Sequence, residues 1–216
     1  MSVKDRTRKL LADTLEQMLL STSLEDIHVS DLCEKCGVHR QTFYYHFKDK
    51  YELVAWIYAQ DVKHSLEGTS SFRQQVTKFL EICWQNRAFY ARALQDNGQN
   101  SLHDYIVNEE IEGFEEELKE LLHVRTLSPD LYNAVVFNAH GFYGVFSSWI
   151  RGKNGYSPEE LAKYVIASMP PLLKEAYETG KDPGNQVLKA GGVRGTGSYS
   201  GMSTMGAAMR RQMPSR

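Results

Sequence analysis

Apolar residues recur at helical spacing over most of this chain. Within residues 3–20, Leu11, Leu15 and Leu19 stand four residues apart, which places them on one face of a helix. The same periodicity returns in several later segments, and no segment shows the alternation of apolar and polar residues that is typical of a half-buried strand. The pattern therefore predicts an all-α protein.

Turn signals divide the N-terminal region into short helices. Segments at about 29–36 and 40–47 are separated by Gly37, and two short helices joined by a tight glycine-containing turn form the pattern of a helix-turn-helix. Asp49 with Glu52 three residues later has the spacing of a helix N-terminus. We predict a three-helix helix-turn-helix domain over residues 1–50.

The remaining periodic segments predict a larger helical domain over residues 51–180. Ser128-Pro129 and Ser157-Pro158 each combine a capping serine with proline at the first helical position, and they predict helices at about 129–150 and 158–178. Pro170-Pro171 lies inside the second of these helices, so we expect a kink near residues 167–169.

Composition changes after Gly180. Gly, Ser and Met dominate residues 181–216, and the loss of apolar periodicity predicts a disordered tail. From Asn185 onward the chain has five basic residues and no acidic one, while the rest carries 20 basic and 27 acidic residues. The tail is either a basic arm for nucleic acid or, as we favour, a solvated segment. Any nucleic acid must meet a local basic face on an acidic body.

The N-terminus has no apolar signal segment, no apolar run is long enough to span a membrane, and three cysteines do not make a disulfide framework. We therefore expect a cytoplasmic protein with no membrane partner.

The second short helix has a polar face that suits DNA. Recognition helices present their N-terminal residues to base edges in the major groove. Arg40 can fork onto guanine, and Gln41 can pair with adenine. Hydroxyls of Thr42 and Tyr44 suit phosphates, and the following Lys48 and Lys50 would neutralise them.

Residues 27–53, IHVSDLCEKCGVHRQTFYYHFKDKYEL, resemble the DNA-binding segment of the TetR/AcrR family of regulators. The resemblance lies in the I-x-V-x-D-L opening, in Gly37-Val38, and above all in the run from Thr42 to Lys50. His28, His39 and Gln41 depart from the residues usual in that family. The resemblance implies base or phosphate contacts from a set of side chains on the second short helix and just after it. These are Arg40, Gln41, Thr42, Tyr44, Tyr45, His46 and Lys50.

The larger domain resembles the same family mainly in layout, which implies inducer binding and dimerisation there. The segment Phe142–Lys163 resembles the family's usual join between its last two helices, and Trp84–Tyr105 resembles a subgroup that includes regulators of dihydroxyacetone-kinase operons. Aromatic walls with a few polar groups are typical of ligand pockets. The candidate pocket residues are Trp84, Phe89, Tyr90, His103, Tyr105, Phe137, His140 and Tyr143, although each also suits an ordinary core.

The segment 129–150 is apolar nearly all round, as buried helices are. Gly141 and Gly144 would permit close approach of another helix. With the helix at 158–178 it would form a four-helix interface across a two-fold axis, which would set two recognition helices one DNA turn apart. The alternative is a core within one chain.

Other chemistry finds little support. Cys33 and Cys36 have C-x-x-C spacing, but zinc needs two more ligands, so packing is favoured over a metal or redox role. Neither a phosphate-binding glycine loop nor a catalytic Ser/His/Asp set stands out. We therefore predict no catalytic residue, metal or cofactor.

The sequence predicts a TetR-like regulator that binds double-stranded DNA as a homodimer on a palindromic operator. The favoured mechanism is repression that a small-molecule effector relieves. Two alternatives remain: an activator that works with a protein co-regulator, and a helix-turn-helix that docks on protein without specific DNA binding.

Overall fold

The computed structural model describes residues 3–95 and 101–185. These residues form ten α-helices and a short 3-10 helix, with no β-strand among them, which confirms the all-α prediction. The α-helices are α1 (Val3–Leu19), α2 (Val29–Cys36), α3 (Arg40–His46), α4 (Lys50–Leu66), α5 (Phe72–Gln85), α6 (Arg87–Ala93), α7 (Leu102–Leu122), α8 (Pro129–Ile150), α9 (Pro158–Ala167) and α10 (Pro171–Thr179). The 3-10 helix is Pro183–Asn185. None of the described helices is both long and apolar enough to cross a membrane.

The first three helices share one core. Leu11 and Leu15 of α1, Leu32 of α2 and Phe43 of α3 are all 0% exposed, and Phe47, just after α3, is 3% exposed. The apolar stripe of α1 therefore supports both short helices of the helix-turn-helix. Burial of several large side chains, each contributing about 1.5–3 kcal/mol, stabilises a unit whose helices are too short to persist alone.

Helix α4 joins the N-terminal and C-terminal regions without a linker. Asp49 is its N-cap and accepts a hydrogen bond from the Glu52 N–H at 2.8 Å. The second turn of α4 contacts the residue that follows α3, where the Phe47 and Trp56 rings lie 6.0 Å apart. Further along, α4 packs against α5 and α7. The predicted boundary at residue 50 thus falls on the first residue of a continuous helix.

The C-terminal region is a layered bundle. Helix α8 packs mainly against α7, α9 packs against α5, and α10 packs against α8 and α7. Ser128 and Ser157 cap α8 and α9 as predicted, because each side chain accepts a backbone N–H from the first turn. Ser157 and Glu160 complete a capping box.

The helix predicted at 158–178 is two helices and not one kinked helix. Helix α9 ends at Ala167, and α10 begins at Pro171. Two consecutive prolines offer no N–H donors, and the residue before each is driven away from helical backbone angles. The prolines therefore end one helix and start another, with Pro170 in the N-cap position of α10.

The tail predicted to be disordered from residue 181 begins with an ordered segment. Asp182 is buried, and its carboxylate accepts hydrogen bonds from the Ser128 N–H at 2.7 Å and from the Ser128 hydroxyl at 2.6 Å. This contact fixes the chain at the start of α8, which is why residues 181–185 are ordered. The remainder of the predicted tail and the predicted turn at Asn97-Gly98 lie outside the described residues.

Candidate nucleic-acid interface

The turn between α2 and α3 depends on Gly37. This residue has φ 67°, a left-handed conformation that side chains rarely adopt. Its N–H donates to Glu34 O at 3.1 Å, and the Val38 N–H donates to Cys33 O at 3.0 Å, so the last carbonyls of α2 are satisfied. The turn therefore directs α3 across α2 without a longer loop.

Helix α3 separates a buried side from an exposed side. Phe43 faces the core, while Arg40 and Gln41 are exposed and Thr42 is half-buried. Tyr44 and Tyr45 are 50% and 71% exposed, which is unusual for large aromatic side chains. The predicted DNA-contacting side chains of α3 are thus presented to solvent as a group by one short helix.

His46 differs from the other predicted contacts. Its ring is half-buried, and its Nδ1 atom has no hydrogen-bond partner among the described residues. Burial, then the nearby Arg8 and Lys4 cations, lower the pKa of His46 below its usual range. The ring is therefore neutral at physiological pH and adds no charge to this surface.

Helix α1 adds basic side chains that the sequence reading did not place here. The Lys4 ammonium lies 5.8 Å from the centre of the Tyr45 ring, and the Arg8 guanidinium lies 5.8 Å from that of Phe47. Lys4 and Arg8 continue the face of Leu11 and Leu15 toward the N-terminus of α1, so basic residues at the start of that face were the available signal. Residues 1–50 carry eight basic and eight acidic side chains. A basic surface therefore arises from placement and not from excess charge.

The two lysines that follow α3 are not equivalent. Lys48 is exposed. The Lys50 ammonium donates to Glu25 O at 2.8 Å and to Ile27 O at 2.9 Å, in the loop before α2. His28, the N-cap of α2, makes no side-chain capping bond. Lys50 therefore holds the loop at the start of α2 in place, whereas Lys48 is exposed to solvent.

Cys33 and Cys36 pack between α1 and α2. Cys33 is 2% exposed, and Cys36 Sγ lies 3.9 Å from Leu10 O of α1. Burial raises the pKa of both thiols, so neither is an activated nucleophile. This arrangement agrees with the packing role predicted for them.

Comparison with known families identifies this helix-turn-helix. A family described as "Bacterial regulatory proteins, tetR family" matches residues 18–57, and "Transcriptional regulator C-terminal region" matches residues 70–170. This chain belongs to the TetR family. It is a TetR-family transcriptional regulator whose DNA-binding helix-turn-helix lies at the N-terminus, ahead of a larger helical region, as predicted.

Two relatives are more specific. The HTH-type dhaKLM operon transcriptional activator DhaS of Lactococcus lactis subsp. lactis (strain IL1403) is 27% identical over 89 residues, which are 40% of this chain and 48% of the relative. The chain thus matches about half the length of that relative. A solved structure, "Dihydroxyacetone kinase operon activator DhaS", superposes with a TM-score of 0.53 at 21% identity, covering 78% of this chain and 96% of the other. This TetR-family regulator shares the fold of that structure.

The eight side chains predicted to line a ligand pocket lie in different parts of the C-terminal region. Phe89 and Tyr90 of α6 are buried in the core, and Trp84 stacks on Trp149 with ring centres 4.8 Å apart. Phe137 and His140 are exposed on α8. The others form pairs: the His103 and Tyr143 rings lie 4.3 Å apart, and Tyr105 lies edge-on to Tyr58 at 6.0 Å. The structure does not bring these side chains together around one space.

Tyr90 instead takes part in a buried polar contact where α1, α4 and α6 meet. Its hydroxyl donates to Asp61 Oδ2 at 2.6 Å, and Asn86 also hydrogen-bonds that carboxylate. Burial raises the pKa of Asp61. Glu16 of α1 faces the same region, and burial followed by the Asp61 charge raises the pKa of Glu16 to about 7. Titratable groups thus lie at the joint between the DNA-binding helices and the rest of the regulator.

Helix α8 exposes an apolar stripe in the single chain. Phe137 is 73% exposed and Val145 is 41% exposed, and both lie on one side of α8. Gly141 and Gly144 lie on the same exposed side, and a Cβ atom at either position would meet nothing within 4 Å. The stripe leaves room for the backbone of another helix to approach closely.

Proposed function

We propose that this regulator binds a palindromic operator as a homodimer, acts in the cytoplasm as a repressor, and is released by a small-molecule effector. The observation that carries DNA recognition is the solvent-facing side of α3, where Arg40, Gln41, Tyr44 and Tyr45 stand together. Arg40 and Gln41, at the start of the helix, read base edges in the major groove. The protein works by binding and does not catalyse a reaction.

Phosphate contacts hold α3 in register. Thr42 and Tyr44 supply hydroxyls, Lys48 supplies an exposed cation, and Lys4 and Arg8 of α1 flank the same surface. Each neutralised phosphate releases counterions and steepens the salt dependence of binding. Tyr45 and the neutral His46 add apolar contact area beside the sugar-phosphate backbone of the DNA.

The apolar stripe of α8 supports dimerisation. An exposed stripe centred on Phe137 is costly in a monomer, and glycines allow two copies of α8 to cross closely about a two-fold axis. A dimer of this kind presents two copies of α3 to successive turns of the major groove. Helix α10, which packs against α8, is placed to support the interface from behind.

The effector's influence reaches α3 through α4. Tyr58 of α4 contacts Phe79 of α5 at 5.5 Å between ring centres, and Trp56, two residues earlier, contacts Phe47 at 6.0 Å. The Arg92 guanidinium of α6 also donates to Leu20 O after α1, at 3.3 Å. A rearrangement of α5 or α6 that favours one tilt of α4 therefore changes the spacing of the two recognition helices.

Quantitative DNA binding tests this function. The full-length protein is titrated onto the region upstream of its own gene at several salt concentrations, and the expected result is specific binding whose affinity falls steeply with salt. Tyr44→Ala weakens binding to every operator variant alike, whereas Gln41→Ala alters preference at particular base pairs. A folded protein that shows no sequence preference even at low salt contradicts the proposal.

Activation is the second candidate, because both relatives described above are named as activators. Reconstituted transcription separates the two modes. Lower transcript yield on adding the protein, restored by effector, supports repression. A yield that rises only when a second protein is supplied supports an activator with a co-regulator.

A further inference from the structure

A cavity of about 20 Å³ lies between α5, α7, α8 and the α9–α10 break. That volume is room for about one water molecule. Most of its lining is apolar, and four phenylalanine rings form much of the wall. The lining residues are Phe72, Val76, Phe79, Glu110, Phe114, Asn138, Phe142, Val165 and Met169.

Two polar side chains stand where the helix pattern calls for apolar ones. On α7, Glu110 is four residues from the buried Ile106 and four from the buried Phe114. On α8, Asn138 is likewise four residues from the buried Ala134 and from Phe142. Facing helices thus each place one polar group into the same apolar space. Burial of a carboxylate in such a place is unfavourable unless a partner compensates it.

No cation of the cavity wall supplies that compensation. The lining contains no lysine, arginine or histidine. Burial, then the neighbouring Glu109, raise the pKa of Glu110 to about 7. The hydroxyls of Tyr58 on α4 and Tyr177 on α10 also interact electrostatically with Glu110, and neither is a cation. Burial therefore opposes the charged form of Glu110, and a cation from outside the chain would meet no competing positive charge in the wall.

We propose that this cavity binds a small organic ammonium ion, with Glu110 and Asn138 as its polar contacts and the phenylalanine rings as its wall. An ammonium group offers N–H donors to a carboxylate and an amide oxygen, and aromatic faces attract a cation. Its alkyl part suits the apolar lining. Met169, unbranched and next to the proline break, is the wall residue best able to shift for a ligand larger than water.

The inference deepens the proposed effector-responsive function and rests on it for its consequence at DNA. Phe79 forms part of the cavity wall and also contacts Tyr58 of α4. An occupied cavity therefore acts directly on the helix that carries the DNA-binding unit.

Isosteric probes test the site by calorimetric titration of the full-length protein at constant chloride. The expected result is saturable binding of methylammonium, the organic ammonium ion closest in size to the cavity, with binding of the uncharged methanol weaker by roughly tenfold or more. Glu110→Gln keeps the shape of the side chain and removes its charge, so it should bring the affinity for methylammonium down to that for methanol. The matched control is Glu112→Gln, an exposed carboxylate on the same helix, which should bind like the unaltered protein.

Three results overturn the inference: no saturable binding of methylammonium, equal binding of the two probes, or undiminished cation binding by Glu110→Gln. Operator binding is measured separately with no ammonium ion present. Specific operator binding without cation binding defeats only the cavity assignment, whereas absence of operator binding defeats the proposed function.

Discussion

Tyr90 donates its phenolic hydrogen to Asp61 at 2.6 Å inside the core, and so ties α6 to the helix that leads to the DNA-binding unit. Tyr90 is fully buried, and Asp61 is 8% exposed. Sequence reasoning assigned Tyr90 to a ligand pocket, but its hydroxyl is occupied by this contact. The pair is therefore a structural element of the regulator's central joint.

Tyr90→Phe should destabilise the protein. The change removes the donor and leaves a buried carboxylate with fewer partners, which costs about 1–3 kcal/mol. Urea unfolding measures the loss. Tyr45→Phe, at a side chain that is 71% exposed, is the control and should change stability by less than about 0.5 kcal/mol. Equal effects of the two substitutions would show that the buried contact contributes nothing.

Stability should fall as pH rises through the neutral range. The pKa of Glu16 is raised from 4.5 to about 7 in the folded protein, so the folded state holds a proton that the unfolded state releases. The resulting stabilisation is complete below about pH 4.5 and is lost as pH approaches and passes about 7. Glu110 contributes in the same direction. Chemical unfolding across pH 5–8 on Glu16→Gln should show a shallower decline, whereas Glu34→Gln, at an exposed site on α2, should leave it unchanged. An identical slope in all three proteins rejects the assignment to Glu16.

Lys50→Gln should change mainly the stability of the protein, and Lys48→Gln mainly the salt dependence of DNA binding. Lys50→Gln removes two hydrogen bonds to backbone carbonyls and should lower the unfolding free energy by about 1–3 kcal/mol, weakening DNA binding by loosening α2. Lys48→Gln should leave stability within about 0.5 kcal/mol and reduce the salt slope of DNA binding. Thermal unfolding and salt-dependent titration separate them. A stable Lys50→Gln protein with a reduced salt slope would assign Lys50 to phosphate instead.

Phe137→Asp should convert the proposed dimer into a monomer. A two-fold interface through the exposed α8 stripe would bury two carboxylates, one from each copy, without a partner charge. Sedimentation velocity measures the change, and operator affinity should fall with it. Leu20→Asp, at a leucine that is 61% exposed after α1, should remain dimeric. Unchanged sedimentation of Phe137→Asp would move the interface away from α8.

Gly184→Ala should loosen the C-terminal anchor. A Cβ atom at residue 184 would lie 2.0 Å from Ser128 Oγ, so the contact between Asp182 and the start of α8 must shift. The expected cost is about 1–3 kcal/mol in urea unfolding, because the α8 cap is lost with it. Gly155→Ala meets nothing within 4 Å and should be neutral. Similar results for both would mean that the anchor adjusts freely.

Local signals were sufficient where local chemistry decides the structure. Gly37, Asp49, Ser128 and Ser157 each act within about four residues along the chain, and each does what its sequence context predicts. The prolines at 170–171 also predicted a disturbance of the helix. A single proline can bend a helix, but two in succession remove two N–H donors and end it.

Contacts between distant segments were beyond such reasoning. Asp182 reaches Ser128 across 54 residues, and the Lys50 bonds span more than 20. Glu110 is a polar residue on the apolar face of α7, but the cavity that it lines forms only when four helices are in their final arrangement. The residue types of the predicted pocket suit a ligand site, but residue type does not determine position in the fold. Packing distributes these side chains among the core, ring pairs and the surface.

The continuity of α4 has a mechanical consequence. Its 17 residues form a rod about 25 Å long that runs from the three residues after α3 into the C-terminal region. Pivoting such a rod by about 5° moves its far end by about 2 Å. A shift of that size can displace α3 from the major groove while the helix-turn-helix itself stays rigid. In the proposed mechanism, operator release needs no unfolding of the helix-turn-helix. Substitutions that weaken the middle of α4 should therefore uncouple effector binding from operator release, while each binding activity is retained.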